Sequence, residues 1–317
     1  MTDQEINLVA PIYPKKPEII DQKDKQNKLL LSLLFFVATF YFISGNQIDS
    51  TIIFVICIFV HELGHFVCMK IFKYDDTRIL FIPFLGGLTI GSKKQISQKQ
   101  QLFVLLAGPV PGILIGLLIF FIGGETLNNL VIKYGIISLG LNIFNLLPII
   151  PLDGGRIIET LYLGKNKTVS KIFIGISIAL FTYFAIKESE YFLLAIPFFL
   201  LLQMLGQIDL ERVKIHAEEQ GLRTNIEYEE LTDEEYWKLR DEMGKHLRPF
   251  AKIISPLVYE ESLQESKVVS YIQTLLRKPL KLDLKKSEKV YFTVIWLAFL
   301  MIPIIYLLHR YNLIMTN

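Results

Sequence analysis

Apolar runs long enough to cross a lipid bilayer recur along this chain, separated by polar connections. They fall at about 29–45, 51–69, 102–122, 130–147, 169–186, 191–206 and 290–308. The first is barely long enough and the sixth is short, so the pattern predicts six to seven transmembrane helices. Two stretches break the rhythm. Around Phe84-Leu85-Gly86-Gly87 alternating apolar residues flank a glycine pair, which reads as a β-hairpin turn. From 207 to 289 charged and apolar residues intermingle. There Thr232-Asp233-Glu234-Glu235 reads as a capping box opening one helix, and a second helical pattern runs from about Ser262 to Leu276. The expected fold class is an all-α polytopic membrane protein with a small membrane-associated β-hairpin and a helical cytoplasmic domain. Its parts are a tail over 1–28, a membrane core over 29–206, the helical domain over 207–289 and an additional transmembrane helix over 290–308.

Composition agrees: 52% of residues are hydrophobic and only 20% charged, outside the balance of a soluble domain. The formal net charge of +2 argues neither for nor against nucleic acid, and no nucleic-acid partner is expected. The first 28 residues hold Lys15, Lys16, Lys23, Lys25 and Lys28 and are too hydrophilic for the apolar region of a signal peptide. Charge is distributed unevenly over the connections. Lys70, Lys73, Arg78, Lys93, Lys94 and Lys99 lie between the second and third runs, and Arg156, Lys165, Lys167 and Lys171 between the fourth and fifth. The 46–50 and 123–129 connections have no Lys or Arg, and 187–190 has only Lys187. Basic loops favour the cytoplasmic side. This predicts a cytoplasmic N-terminus and 207–289 domain, with the second span running from outside to inside.

The chemistry-bearing residues lie in the apolar runs. His61, Glu62 and His65 interrupt the second one, where ionisable side chains are costly and mark function. Histidines at i and i+4 project from one helix face and can share a cation, with the intervening Glu62 placed to take a proton from a metal-activated water. A catalytic zinc needs a third protein ligand. Asp153 is the leading candidate, because it follows Pro148 and Pro151 and precedes Gly154-Gly155, where the prolines end a helix and irregular backbone can line a watery cavity. Its alternative reading is a helix-terminal carboxylate near the cytoplasmic surface. Glu159 is the poorer candidate. Cys57 and Cys68 share the histidine face but are too spread along one helix to complete a tetrahedron, and cysteine is an ordinary buried hydrophobe. They form no disulfide framework. His216 and His246 are isolated in the sequence and read as surface residues. The stripe Ala107-Gly108-Pro109, Gly112 and Gly116 reads as close helix packing, and Asn142 and Asn145 as interhelical hydrogen-bonding residues on roughly one helical face.

Three features taken together resemble the site-2 protease family of intramembrane metalloproteases: HELGH in an apolar span, NLLPIIPLDGG some eighty residues later, and AGP between them. The resemblance covers roughly residues 50–160. It implies one zinc per chain, held by His61, His65 and Asp153, with Glu62 as catalytic base. It also implies a substrate or oxyanion contact from Asn145 and pairing of an extended substrate strand with the hairpin at Gly86 and Gly87. The family usually has PIPPLDGG where this chain has Pro148-Ile149-Ile150-Pro151. The implied setting is a bacterial plasma membrane, with transmembrane proteins as substrates, including remnants already trimmed by another protease. Oligomeric state is not legible. A zinc transporter would not need Glu62 between the histidines, nor does the chain have paired broken helices. A non-catalytic adaptor would require a vestigial site, and an HExxH protease with a glutamate as third ligand would need a downstream glutamate in a span.

Overall fold

The computed structural model describes residues 13–19, 25–82, 86–123, 128–164, 166–254, 259–276 and 278–316. Helices follow the apolar runs: α1 (Lys25–Ile43), α2 (Ile48–Ile71), α3 (Gln98–Ala107), α4 (Pro109–Gly123), α5 (Asn129–Asn145), α7 (Lys167–Lys187), α8 (Ala195–Glu219) and α11 (Lys286–Thr316). The short α6 (Asp153–Ile158) leads directly into a π-helical turn over Glu159–Leu163. Among the described residues five helical stretches have the length and hydropathy of a membrane span: Ile48–Ile71, Gln98–Ile122, Lys167–Lys187, Tyr191–Glu219 and Lys286–His309. The first and fourth predicted spans are shorter, with an apolar part of Leu31–Ile43 in α1 and 17 residues in α5. Large apolar side chains such as Phe121, Ile172, Phe198 and Val294 stand exposed along these helices, as lipid-facing residues do. The protein is an integral membrane protein.

Hydropathy marks where a helix leaves the membrane, not where it stops. The sixth run was expected to close at 206, yet α8 continues to Glu219, because Gln207, Asp209, Glu211 and Arg212 lower hydropathy without breaking a helix.

The strands β1 (Asp75–Ile82) and β2 (Gly86–Ser92) form an antiparallel hairpin, with Ile82 opposite Gly86, Phe81 opposite Gly87 and Ile79 opposite Thr89. Gly86 and Gly87 were expected to form the turn. They are instead the first two residues of β2, while Phe84 and Leu85 lie outside the described residues.

The chain folds as two units. One comprises 23–204 and 280–317. Its largest core joins Leu102, Leu105, Leu106, Ile113, Leu139, Leu146, Ile157 and Leu161 to Phe292, Trp296 and Leu300 of α11. A second cluster packs Phe36 of α1 on Ile58 and Phe81. The other unit comprises 1–22 and 205–279, with α9 (Asp233–His246) and α10 (Glu265–Leu275) around Tyr236, Trp237, Leu239, Met243, Val268 and Ile272. The capping box at Thr232 and Glu235 is formed in full. His216 and His246 are not isolated: their rings stack with centroids 4.2 Å apart.

Candidate metal centre

The HELGH segment lies within α2 on the face that also buries Thr51, Ile58 and Glu62, so His61 and His65 point into the protein one turn apart. Asp153 reaches them from the far side of a tight loop. α5 ends at Asn145, and the chain doubles back through Leu152 N–H donating to Ile149 O (2.9 Å) and Ile150 N–H donating to the Ser177 hydroxyl (3.0 Å). The Ile150–Pro151 peptide is cis. Gly154 and Gly155 then sit in α6 with normal helical backbone. What demands glycine there is contact: a Cβ on either would run into the main chain of Leu146 or Ile149. The expectation that they permit irregular backbone is corrected accordingly; they let the helix that starts at Asp153 press on the loop before it.

The three side chains converge on one point. His61 Nε2 lies 3.2 Å from His65 Nε2, and Asp153 Oδ2 lies 3.2 and 3.3 Å from the two nitrogens. Among the described residues this is the one trio of histidine, cysteine or carboxylate groups close enough to share an ion; Cys57 and Cys68 stay outside it. Zinc–ligand bonds of about 2.0–2.1 Å set tetrahedral edges of about 3.3 Å, which these separations match. Tautomers fit as well. His61 Nδ1 faces Asn142 Oδ1 at 2.8 Å and His65 Nδ1 faces the Val104 carbonyl at 2.7 Å. Both partners only accept, so each Nδ1 carries the proton and each Nε2 presents a lone pair to the centre. Two lone pairs and a buried carboxylate oxygen that accepts no hydrogen bond then face one another. Such a donor set is suited to a cation, with its fourth position left for water or substrate.

Glu62 is buried beside the trio. The Thr89 hydroxyl donates to its Oε2 at 2.7 Å, and Gly87 of β2 packs flat on its side chain, where a Cβ would collide with Cγ. This contact is the physical reason glycine occupies the strand. The small-residue stripe lies under the site as well, with Gly108 against the His65 ring and Gly112 against the Asn142 amide. Asn145 stands apart from the trio's hydrogen bonds: its amide donates to the Leu141 carbonyl at 3.0 Å.

Residues 50–130 and 123–186 match the sequence model of peptidase family M50. Over these residues the chain is similar to that family. Among curated relatives, a zinc metalloprotease of Methanocaldococcus jannaschii is 30% identical over 152 residues, 44% of this chain and 43% of its own. Stage IV sporulation protein FB of Bacillus subtilis is 24% identical over 131 residues, 41% of this chain and 45% of its own. The chain thus spans less than half the length of these relatives. A solved structure, the site-2 protease from Methanocaldococcus jannaschii, aligns over 56% of this chain and 87% of its own at 26% identity and a TM-score of 0.44.

Three contacts of this site have partners the sequence did not specify. Asn142 makes the interhelical hydrogen bond expected of it, and its partner, which the sequence did not single out, is His61. Thr89 holds Glu62 from a strand that offers no motif. Helix α11, beyond the family match, hydrogen-bonds both sides of α6: the Trp296 indole N–H donates to the Leu146 carbonyl of the ligand loop at 2.9 Å, and Lys289 Nζ to the Leu161 carbonyl of the π-helical turn at 2.6 Å.

Proposed function

We propose that this chain is a member of the M50 site-2 protease family, an intramembrane zinc metalloprotease that hydrolyses peptide bonds within or near transmembrane segments of other membrane proteins. The observation that carries the reading is the convergence of His61, His65 and Asp153, with Glu62 buried alongside. The three residues hold one zinc per chain. Bound there, zinc would polarise the scissile carbonyl and make a water acidic enough to attack near neutral pH. Glu62 takes the proton from the attacking water and returns it to the leaving nitrogen. Thr89 fixes the carboxylate through Oε2, leaving the other oxygen for the water. Asn142 and Val104 keep both imidazoles in the tautomer the site requires. For Asn145 to donate to the substrate carbonyl oxygen, its amide must leave the Leu141 carbonyl.

A substrate helix shields its own carbonyls, so it must unwind locally before attack. The hairpin supports a landing place: β1 takes one edge of β2, and Gly86 and Gly87 lie on the strand that packs against Glu62. An extended substrate adding along β2 would pass beside the base. Remnants already trimmed by another protease suit such a site best.

The 205–279 unit serves as a cytoplasmic accessory domain in a bacterial plasma membrane. Its sharing one unit with residues 13–19 supports an even number of crossings between them, since both ends must return to one side. Six apolar segments meet that condition: α1, α2, the α3–α4 pair, α5, α7 and α8. Helix α11 makes a seventh.

The experiment is a paired assay of zinc content and cleavage of a transmembrane substrate in the purified chain. Glu62→Gln should retain about one zinc and lose at least about 10²-fold in cleavage rate. Wild-type protein that moves zinc across reconstituted vesicles while cutting nothing would replace the protease with a transporter.

A further inference from the structure

Residues 13–18, Tyr-Pro-Lys-Lys-Pro-Glu, form neither helix nor strand, yet they are tied closely to the 205–279 unit. Prolines 11, 14 and 17 recur at every third position, the repeat of a polyproline II helix. That period puts Tyr13 and Lys16 on one side; both are half-buried, while Pro14 and Lys15 are exposed.

The receiving surface is the 3₁₀ turn Tyr228–Glu230 together with the start of α9. Lys16 Nζ donates to three converging carbonyls, those of Tyr228 (2.7 Å), Glu229 (3.1 Å) and Leu231 (2.5 Å), and lies 5.1 Å from the centre of the Tyr228 ring. Lys16 N–H donates to Asp233 Oδ1 at 2.9 Å. In the other direction the Trp237 indole N–H donates to the Pro14 carbonyl at 2.7 Å, and the Tyr228 hydroxyl to the Pro17 carbonyl at 2.8 Å. Tyr13 packs on Tyr259, ring centres 4.8 Å apart.

This polar equipment is that of a peptide site. Tyr228 and Trp237 are 6% and 1% exposed, and removing the segment would take from both aromatic donors the carbonyls they now serve. Aromatic rings that donate to the carbonyls of a proline-spaced chain are the means by which grooves recognise polyproline II ligands. The three carbonyls add a demand for an ammonium group at one position.

We propose that Tyr228, Leu231, Trp237 and Tyr259 build a binding groove for an extended segment of the pattern aromatic-Pro-x-Lys-Pro, and that residues 13–18 are its resident ligand. Held in the same chain, that ligand acts at an effective concentration on the order of millimolar. The groove is therefore closed to weak ligands of the same pattern until residues 13–18 leave it.

The test uses a fluorescein-labelled peptide of residues 11–18 and its anisotropy with the detergent-solubilised chain, empty micelles subtracted. The wild type should show no saturable binding. A Lys16→Glu chain and a chain lacking residues 1–19 should both bind the peptide, and the peptide carrying Lys16→Glu should bind them at least about tenfold more weakly, ~1.4 kcal/mol. Equal binding to wild type and variants, or to both peptides, overturns the proposal, as does no binding to Lys16→Glu chain that remains folded. A second measurement needs no truncation. Trypsin should cut wild-type chain slowly after Lys15, the bond after Lys16 being shielded by Pro17, and Trp237→Phe, which keeps a ring and removes the donor, should speed the Lys15 cut about tenfold. An unchanged rate would mean that the segment is not held by the groove.

Discussion

Two of the buried polar clusters among the described residues are finished differently. In the 205–279 unit Arg240 and Glu265 are 2% and 6% exposed, and their opposite charges meet with donors on acceptors throughout. Arg240 Nε donates to Glu265 Oε1 at 2.9 Å, and the Tyr236 hydroxyl donates to the same oxygen at 2.5 Å. Ser262 N–H donates to Oε2 at 2.8 Å, and Arg240 Nη2 to the Glu260 carbonyl at 2.9 Å. Burial raises the Glu265 carboxyl's pKa, but Arg240 and Tyr236 outweigh it and leave the net value below the usual carboxylate range. The membrane cluster of His61, His65 and Asp153 has both histidine Nδ1 groups paired and its inner atoms all acceptors. The first cluster is closed upon itself and structural; the second is complete only with a cation. A buried polar cluster is read for function by asking whether its donors and acceptors balance.

That contrast can be broken most sharply at Asp153. Asp153→Ala should lower zinc retention by at least about 10²-fold in a chelator competition, since it leaves two ligands where three are needed. Melting of the 205–279 unit should not change. Next in size is Arg240→Met, which strands the Glu265 carboxylate and should cost that unit about 3–5 kcal/mol, read by thermal unfolding or protease resistance, with zinc content unaltered. Replacing both partners by apolar residues should restore much of the loss. Asn142→Leu should weaken zinc binding about 10–100-fold without unfolding the protein, because it frees His61 to adopt the wrong tautomer.

The smallest effect concerns acid. The Arg223 guanidinium bonds both Glu235 carboxylate oxygens, at 2.6 and 2.7 Å, and pulls the Glu235 pKa from 4.5 down to about 2. A carboxyl depressed on folding contributes stability above its unfolded value and loses that contribution as pH falls through the folded one. The unit's melting temperature should therefore fall as pH drops from about 4.5 towards 2. Arg223 is half exposed, which screens the pair, so Arg223→Ala should remove only a few degrees of that fall.

Local signals carried far in this sequence. The i, i+4 spacing of His61 and His65 and the proline-bounded Asp153 lead to side chains that the fold brings within 3.3 Å, and the Thr232 capping box opens α9 where expected. What was not legible depends on partners distant in the chain. Asn142 has the same residue type and helix face as Asn145, and only the packing of α2 on α5 separates them. The glycine pair is a turn by local propensity, yet in the fold it pairs with β1, with Gly87 pressed against Glu62. The tail at 13–19 joins residues more than 200 positions away, and the stacking of His216 and His246 likewise follows from tertiary packing. Periodicity reports which face is buried, not what covers it.

The bond from Trp296 to Leu146 also sets a clock. The ligand loop is synthesised early, and the indole that holds its carbonyl arrives 150 residues later. At about 5–20 residues per second a ribosome needs on the order of 10 seconds or more to cover that interval. Through that time a nascent chain already has its histidines and its aspartate in the membrane but lacks the helix that anchors their loop. The loop that carries Asp153 gains this anchor only once α11 is inserted, so the metal centre is completed well after its ligands are made.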